Sequence, residues 1–216
     1  MYLCSRKLHR FIKLTQYRLI LLFTLLALIQ IGCHRSNQVF ISHEMLSEGD
    51  LVFRRGSSVK SQAVLYADRS GKYSHIGIVV KEGDEFMVVH ITPGERAPEE
   101  TVDKIKMESL EDFFACDKAK KGAILRFTDL PECSQQASQH AKAFFEKEIL
   151  FDHDYDLNDT TKMYCSELVW RSYLKAGRDV SEQRRSEVTR LPVFSGTYVF
   201  PSDIYQNERL TIIYEF

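Results

Sequence analysis

Apolar residues recur along the chain with two spacings, and each spacing predicts an element. Short apolar runs bounded by turn residues mark strands at Leu51–Arg54 (after the Glu48-Gly49-Asp50 turn), His75–Lys81, Glu85–Ile91, Thr101–Met107, Gly122–Phe127 and Leu210–Phe216. Helical spacing marks Ser58–Ala67 (Val59, Ala63, Val64, Ala67), with Ser57 or Ser58 as N-cap. It also marks a short helix over Glu108–Ala115 and an amphipathic one over Ser134–Leu150 (Ala137, Ala141, Phe144, Phe145, Ile149). Tyr164–Ala176 is a further helix, closed by Gly177 at the C′ position. Pro201–Tyr205 predicts a helical turn. Phe151–Lys162 holds four aspartates without apolar periodicity and predicts a loop, while 178–197 reads as irregular and polar. Strands and helices mix without a βαβ rhythm, which predicts an α+β fold with a mostly antiparallel sheet.

The first 32 residues follow a different rule. Five basic side chains (Arg6, Lys7, Arg10, Lys13, Arg18) and no acid precede the apolar run Leu19–Ile29. That run is shorter than the roughly 20 residues of a spanning helix and suits the apolar region of a secretion signal. Gly32-Cys33 closes it and resembles a bacterial lipobox, in which Cys33 is lipidated. The expected organisation is a leader over 1–32, a polar tether over 33–47 and a single domain over 48–216. The expected location is the cell envelope, with the N-terminus as membrane anchor.

Charge and cysteine usage narrow the chemistry. The formal net charge is −1, and removing the basic leader leaves −6 on the rest, so nucleic acid is not an expected partner. The cysteines at 4, 33, 116, 133 and 165 form no CxxC or Cys/His cluster of the zinc type. Cys116 and Cys133 flank a strand about 20 Å long, beyond the ~7 Å Cα limit of a disulfide, and are expected to be free. Asp152, Asp154, Asp156 and Asp159 lack the central glycine and terminal glutamate of a calcium loop, so a solvated loop is expected. No nucleotide-binding glycine loop or metal constellation occurs, and no cofactor is expected.

Two elements carry candidate chemistry. Cys165 opens a helix, where unpaired N–H groups and the helix dipole favour thiolate, the nucleophilic form. His75 opens a strand. A two-residue turn at Gly83-Asp84 sets Gly77 opposite His90 and leaves His90 one diagonal from His75, about 7–8 Å away. A turn at Glu82-Gly83 instead sets the two histidines face to face at about 5 Å. In both registers the imidazoles share a face. The arrangement predicts a Cys165–His75–His90 triad: nucleophile, base, and a partner that orients the base. The backbone N–H of Cys165 and one further donor, Tyr164 or another amide, would hold the oxyanion. Tyr155 is a candidate for lining the substrate.

Taken together, Glu48-Gly49-Asp50-Leu51-Val52-Phe53-Arg54, Tyr73-Ser74-His75-Ile76-Gly77-Ile78-Val79, Asp154-Tyr155-Asp156 and Tyr164-Cys165-Ser166-Glu167-Leu168-Val169-Trp170 resemble the YiiX/YebB-like branch of the NlpC cysteine hydrolases. The resemblance covers about residues 48–205. It implies a circularly permuted papain-like fold, with a mostly antiparallel sheet or half-barrel packed against the cysteine helix. It also implies Cys165 as nucleophile and His75 as base. A glutamate is usual in that branch at the position of His90; histidine there is similar to the lecithin:retinol acyltransferase-like proteins. The implied substrate is a cell-wall peptide or a lipid-linked acyl group. An inactive module binding lipid or wall peptide, and a lipid acyltransferase, are the alternatives.

Overall fold

The computed structural model describes residues 41–216 apart from 70, 97–98 and 192–193. The leader, Cys33 and the first part of the tether lie outside the described residues. Six strands, β1 (Leu51–Arg55), β2 (His75–Glu82), β3 (Glu85–His90), β4 (Lys106–Ser109), β5 (Lys121–Phe127) and β10 (Leu210–Glu215), form one sheet. Its order is β10-β5-β1-β2-β3-β4 and every pair is antiparallel. The α+β reading with an antiparallel sheet therefore holds.

Helices α1 (Val59–Ala67), α2 (Leu110–Phe113), α3 (Pro131–Glu146), α4 (Cys165–Lys175) and α5 (Pro201–Tyr205) surround the sheet. A two-stranded parallel pair, β6 (Leu150–Phe151) with β7 (Lys162–Met163), encloses the predicted aspartate loop. A hairpin, β8 (Ser186–Leu191) with β9 (Phe194–Tyr198), replaces the irregular stretch expected over 178–197.

Both faces of the central strands are covered, which explains why β1 and β2 read as continuous apolar runs. Leu51, Phe53, Ile76, Ile78, Val80 and Val89 point into a core shared with Ala137 and Ala141 of α3 and Leu168, Val169 and Tyr173 of α4. Val52, Val79, Val88 and Ile124 point the other way, against Leu110, Phe113 and Phe114 around α2. Period two places Arg54, His75, Gly77 and His90 on this second face. Cys165 belongs to a helix on the first. Each of His75 and Cys165 is the first residue of its element, so the two faces can meet at the end of the sheet.

Two predicted boundaries shift, with consequences for the site. The expected strand Thr101–Met107 shifts to Lys106–Ser109, and the expected helix Glu108–Ala115 contracts to Leu110–Phe113. The N-cap is Ser109, whose Oγ accepts the Asp112 N–H at 3.1 Å. Glu108 is thereby a strand residue. Helix α3 starts earlier than read because Pro131 occupies its first turn, where a missing N–H costs nothing.

Candidate active site

The mouth of α4 is fixed by bonds on both sides of Cys165. The Glu167 carboxylate accepts the Tyr164 backbone N–H at 3.3 Å and Arg171 Nε–H at 2.7 Å. Arg171 also reaches the Leu157 carbonyl at 2.6 Å, tying the helix to the loop between β6 and β7. Ser166 Oγ donates to the Val199 carbonyl at 2.6 Å, and the Val199 N–H donates to the Tyr164 hydroxyl oxygen at 3.0 Å. One segment, at Val199, thus clamps both neighbours of the cysteine. Burial pushes Glu167 up to about 7 against the pull of Arg171.

The histidine pair follows the Gly83-Asp84 register. Ile78 pairs with Val89 and Glu82 with Glu85, which leaves Gly77 beside His90. His75 and His90 are both buried, and His75 Nε2 lies 2.8 Å from His90 Nδ1. The Phe113 ring stacks on His75 at 5.6 Å and meets His90 edge-on at 5.1 Å. Burial lowers both imidazoles: His75 falls well below its ordinary value, helped by Arg54, and His90 falls to about 4 despite Glu108. Both rings are therefore neutral near pH 7.

Behind His90 stands a residue that sequence reading missed. His90 Nε2 lies 2.9 Å from Glu108 Oε1. Lys106 and Lys118 approach Glu108 Oε2 at 3.2 and 3.0 Å, and Arg54 lies 3.9 Å from Oε1. Arg54 is also paired with Glu95, and Lys106 with Glu95. The register His90↔Lys106 makes Glu108 the diagonal neighbour of His90 across the β3–β4 ladder. Placing Glu108 in a helix hid that relationship.

Cys165 and His75 open onto one cleft of about 950 Å³. Phe151, Tyr155, Tyr198 and Phe200 line the cleft with aromatic rings and Val59, Ala63 and Val64 of α1 with aliphatic groups; Lys60, Lys106 and Lys118 line it together with Glu95 and Asp117. Tyr164 and Tyr155 both line the cleft, with ring centroids 5.4 Å apart. Tyr155 sits in the left-handed region at φ 56°, a backbone cost accepted where the loop turns its ring inward among Phe151, Tyr164 and Tyr198. Asp152 is buried and caps that loop by accepting the N–H groups of Asp154 and Asp156.

The thiol departs from expectation. Cys165 keeps partial exposure, yet burial pushes its pKa up; the Ile76 N–H directed at the sulfur opposes this without reversing it. The helix N-terminus alone predicts the opposite direction. In this cleft, desolvation outweighs the dipole. The other described cysteines, Cys116 and Cys133, are free thiols.

A family model described as the permuted papain-like amidase enzyme, YaeF/YiiX, C92 family, matches residues 45–214. No curated protein matches the chain. Among solved structures, that of metalloprotein YiiX from Escherichia coli O157:H7 superposes with a TM-score of 0.63 at 22% identity, covering 80% of this chain and 98% of that one. In this chain His75, His90 and Glu108 are engaged with one another in series. Among the described residues no group of three or more His, Cys, Asp or Glu is placed to hold a metal ion.

Proposed function

The chain belongs to the C92 family of permuted papain-like amidases, and we propose that it is an envelope-associated cysteine hydrolase using Cys165, His75 and His90. One observation carries this reading: the sulfur and the imidazole share a cleft, and the imidazole is held from behind by His90 at 2.8 Å. His75 Nε2 faces His90, so Nδ1 is the nitrogen available to the thiol. Nδ1 takes the Cys165 proton as Sγ attacks a carbonyl carbon. The negative oxygen that forms is met by the Cys165 backbone N–H at the start of α4. Collapse breaks the carbonyl's bond to nitrogen or oxygen, and His75 returns the proton to that leaving group. Water, deprotonated by His75, then cleaves the thioester and restores the thiol.

The cleft supports a class of substrate. The aromatic and aliphatic lining suits an acyl group with an apolar body, and Lys60 at the rim suits a carboxylate or phosphate. Cell-wall peptides and lipid-linked acyl groups both carry these features. The basic-then-apolar order of residues 1–32 and the Gly32-Cys33 pair support export and anchoring, although no helix of the described residues is long and apolar enough to cross a membrane.

One observation favours a second reading, an inert binding module: the raised thiol. Labelling with a thiol-directed acyl probe separates the two. Wild type should be acylated at Cys165, and Cys165→Ala and His75→Ala should each lose the label while melting normally. Equal labelling of the alanine variants would remove the hydrolase reading.

A further inference from the structure

We propose that Glu108 is a positioning residue that sets the tautomer of both histidines and so aims the base at the sulfur. The inference rests on the hydrolase reading above and adds a fourth member to its machinery. It follows from counting protons. An ionised carboxylate only accepts hydrogen bonds. Glu108 Oε1 faces His90 Nε2 at 2.9 Å, so that nitrogen must carry the proton. A neutral ring has one N–H, which leaves His90 Nδ1 as an acceptor. His75 Nε2, 2.8 Å away, must then be the donor. The lone pair of His75 is left on Nδ1.

Without the carboxylate the chain of bonds can run in reverse. His90 would then donate from Nδ1 to His75 Nε2, and the proton of His75 would move to Nδ1. That tautomer cannot accept the thiol proton. Glu108 thus acts through two rings, touching neither substrate nor sulfur.

The surroundings suit the role. Burial works against the charge on Glu108, but His90, Lys106 and Lys118 outweigh it and hold the carboxyl well below its usual range. Its two oxygens divide the work: Oε1 serves His90, and Oε2 takes Lys106 and Lys118. Because these cations keep it ionised, Glu108 stabilises an imidazolium without accepting its proton. The charged and titratable groups around the pair are Arg54 from β1, Glu95 from the 91–105 segment, Lys106 and Glu108 from β4, Lys118 before β5 and Cys165 from α4.

The test uses full-length protein with ¹⁵N-labelled histidine, read by long-range proton–nitrogen correlation, alongside hydrolysis of a p-nitrophenyl acyl ester. Wild type should show both rings protonated at Nε2. Glu108→Ala should lose that fixed pattern and lower kcat by about 10²-fold, less than the ~10⁴-fold seen when a base loses a carboxylate that touches it directly, because Glu108 acts through a second ring. Glu108→Gln preserves shape and covers the case in which the alanine variant does not fold; Lys106 and Lys118 hold its carbonyl oxygen, which turns its NH2 toward His90, so it should lose the fixed pattern too, and Glu108→Asp should recover part of both. If Glu108→Ala or Glu108→Gln keeps Nε2 protonation on both rings with kcat within twofold of wild type, the proposal is overturned. Cys165→Ala is the control for the parent reading: ester hydrolysis unaffected by it would end that reading, while the tautomer spectrum would still judge Glu108.

Discussion

Gly77 lies against His90 across the β2–β3 ladder: a Cβ at position 77 would stand 3.1 Å from the His90 Cβ and 2.7 Å from Val88 Cγ1. Two residues after His75 in the strand, glycine leaves the room in which β3 brings the His90 imidazole up to that of His75. Gly77→Ala should force Val88 and His90 aside. We expect a loss of about 1–3 kcal/mol in urea unfolding, typical of overpacking, with kcat falling at least about tenfold as the imidazole pair separates. A variant with wild-type stability and turnover would show that the close contact has no role.

The thiol and the base should titrate in unusual places. Burial raises Cys165, so its alkylation by iodoacetamide, followed by mass spectrometry of the Cys165 peptide, should rise through a midpoint above the free-thiol value of about 8.5. Burial lowers His75, so the acid limb of kcat/KM should lie below 6.5. An alkylation midpoint below 7 would instead reveal a preformed thiolate–imidazolium pair.

Stability should depend on pH through opposed groups, among them His90, with His75 acting in the same direction, and Glu167. His90 titrates at about 4 in the folded chain against 6.5 unfolded, so in that window the unfolded state binds the extra proton and stability rises with pH. Glu167 titrates at about 7 folded against 4.5 unfolded, so the folded state holds the extra proton and stability falls as pH rises. The slopes cancel in part. Glu167→Gln, which keeps an acceptor for the Tyr164 N–H, should expose the histidine slope: about 3 kcal/mol lost from His90 between pH 6.5 and 4. Urea titrations of both proteins across this range check it; parallel curves would contradict the assignment.

Helix α1 forms a wall of the cleft yet buries none of its own side chains; Val59 is 87% and Tyr66 74% exposed. The Ser58 cap accepts the Ser61 N–H at 3.1 Å. Ser58→Ala should cost about 1 kcal/mol of helix stability. Amide exchange in α1 should quicken several-fold while α4, packed in the core, stays protected. Unchanged exchange in α1 would mean that the cap contributes nothing.

Local signals were legible wherever an element's own residues decided it. The Gly83-Asp84 pair selected the hairpin register, Ser58 the start of α1, and Gly177, at φ 85°, the end of α4. What failed was non-local. Ile105 is buried and Val102 half exposed, so the apolar alternation at 101–107 reads as strand although the ladder begins only at Lys106. Glu108 became visible as a partner only once β4 lay beside β3. The thiol pKa was misjudged for the same reason: a dipole is local to its helix, whereas desolvation comes from everything packed around it.

The order of parts along the chain has a consequence for biosynthesis. The strands that hold both imidazoles, together with Glu108, are complete by residue 127, whereas the sulfur arrives at residue 165. On the roles proposed above, a ribosome finishes the proton-handling half of the machinery before the attacking atom leaves the exit tunnel. On those roles, a nascent or prematurely terminated product that ends short of Cys165 lacks its nucleophile.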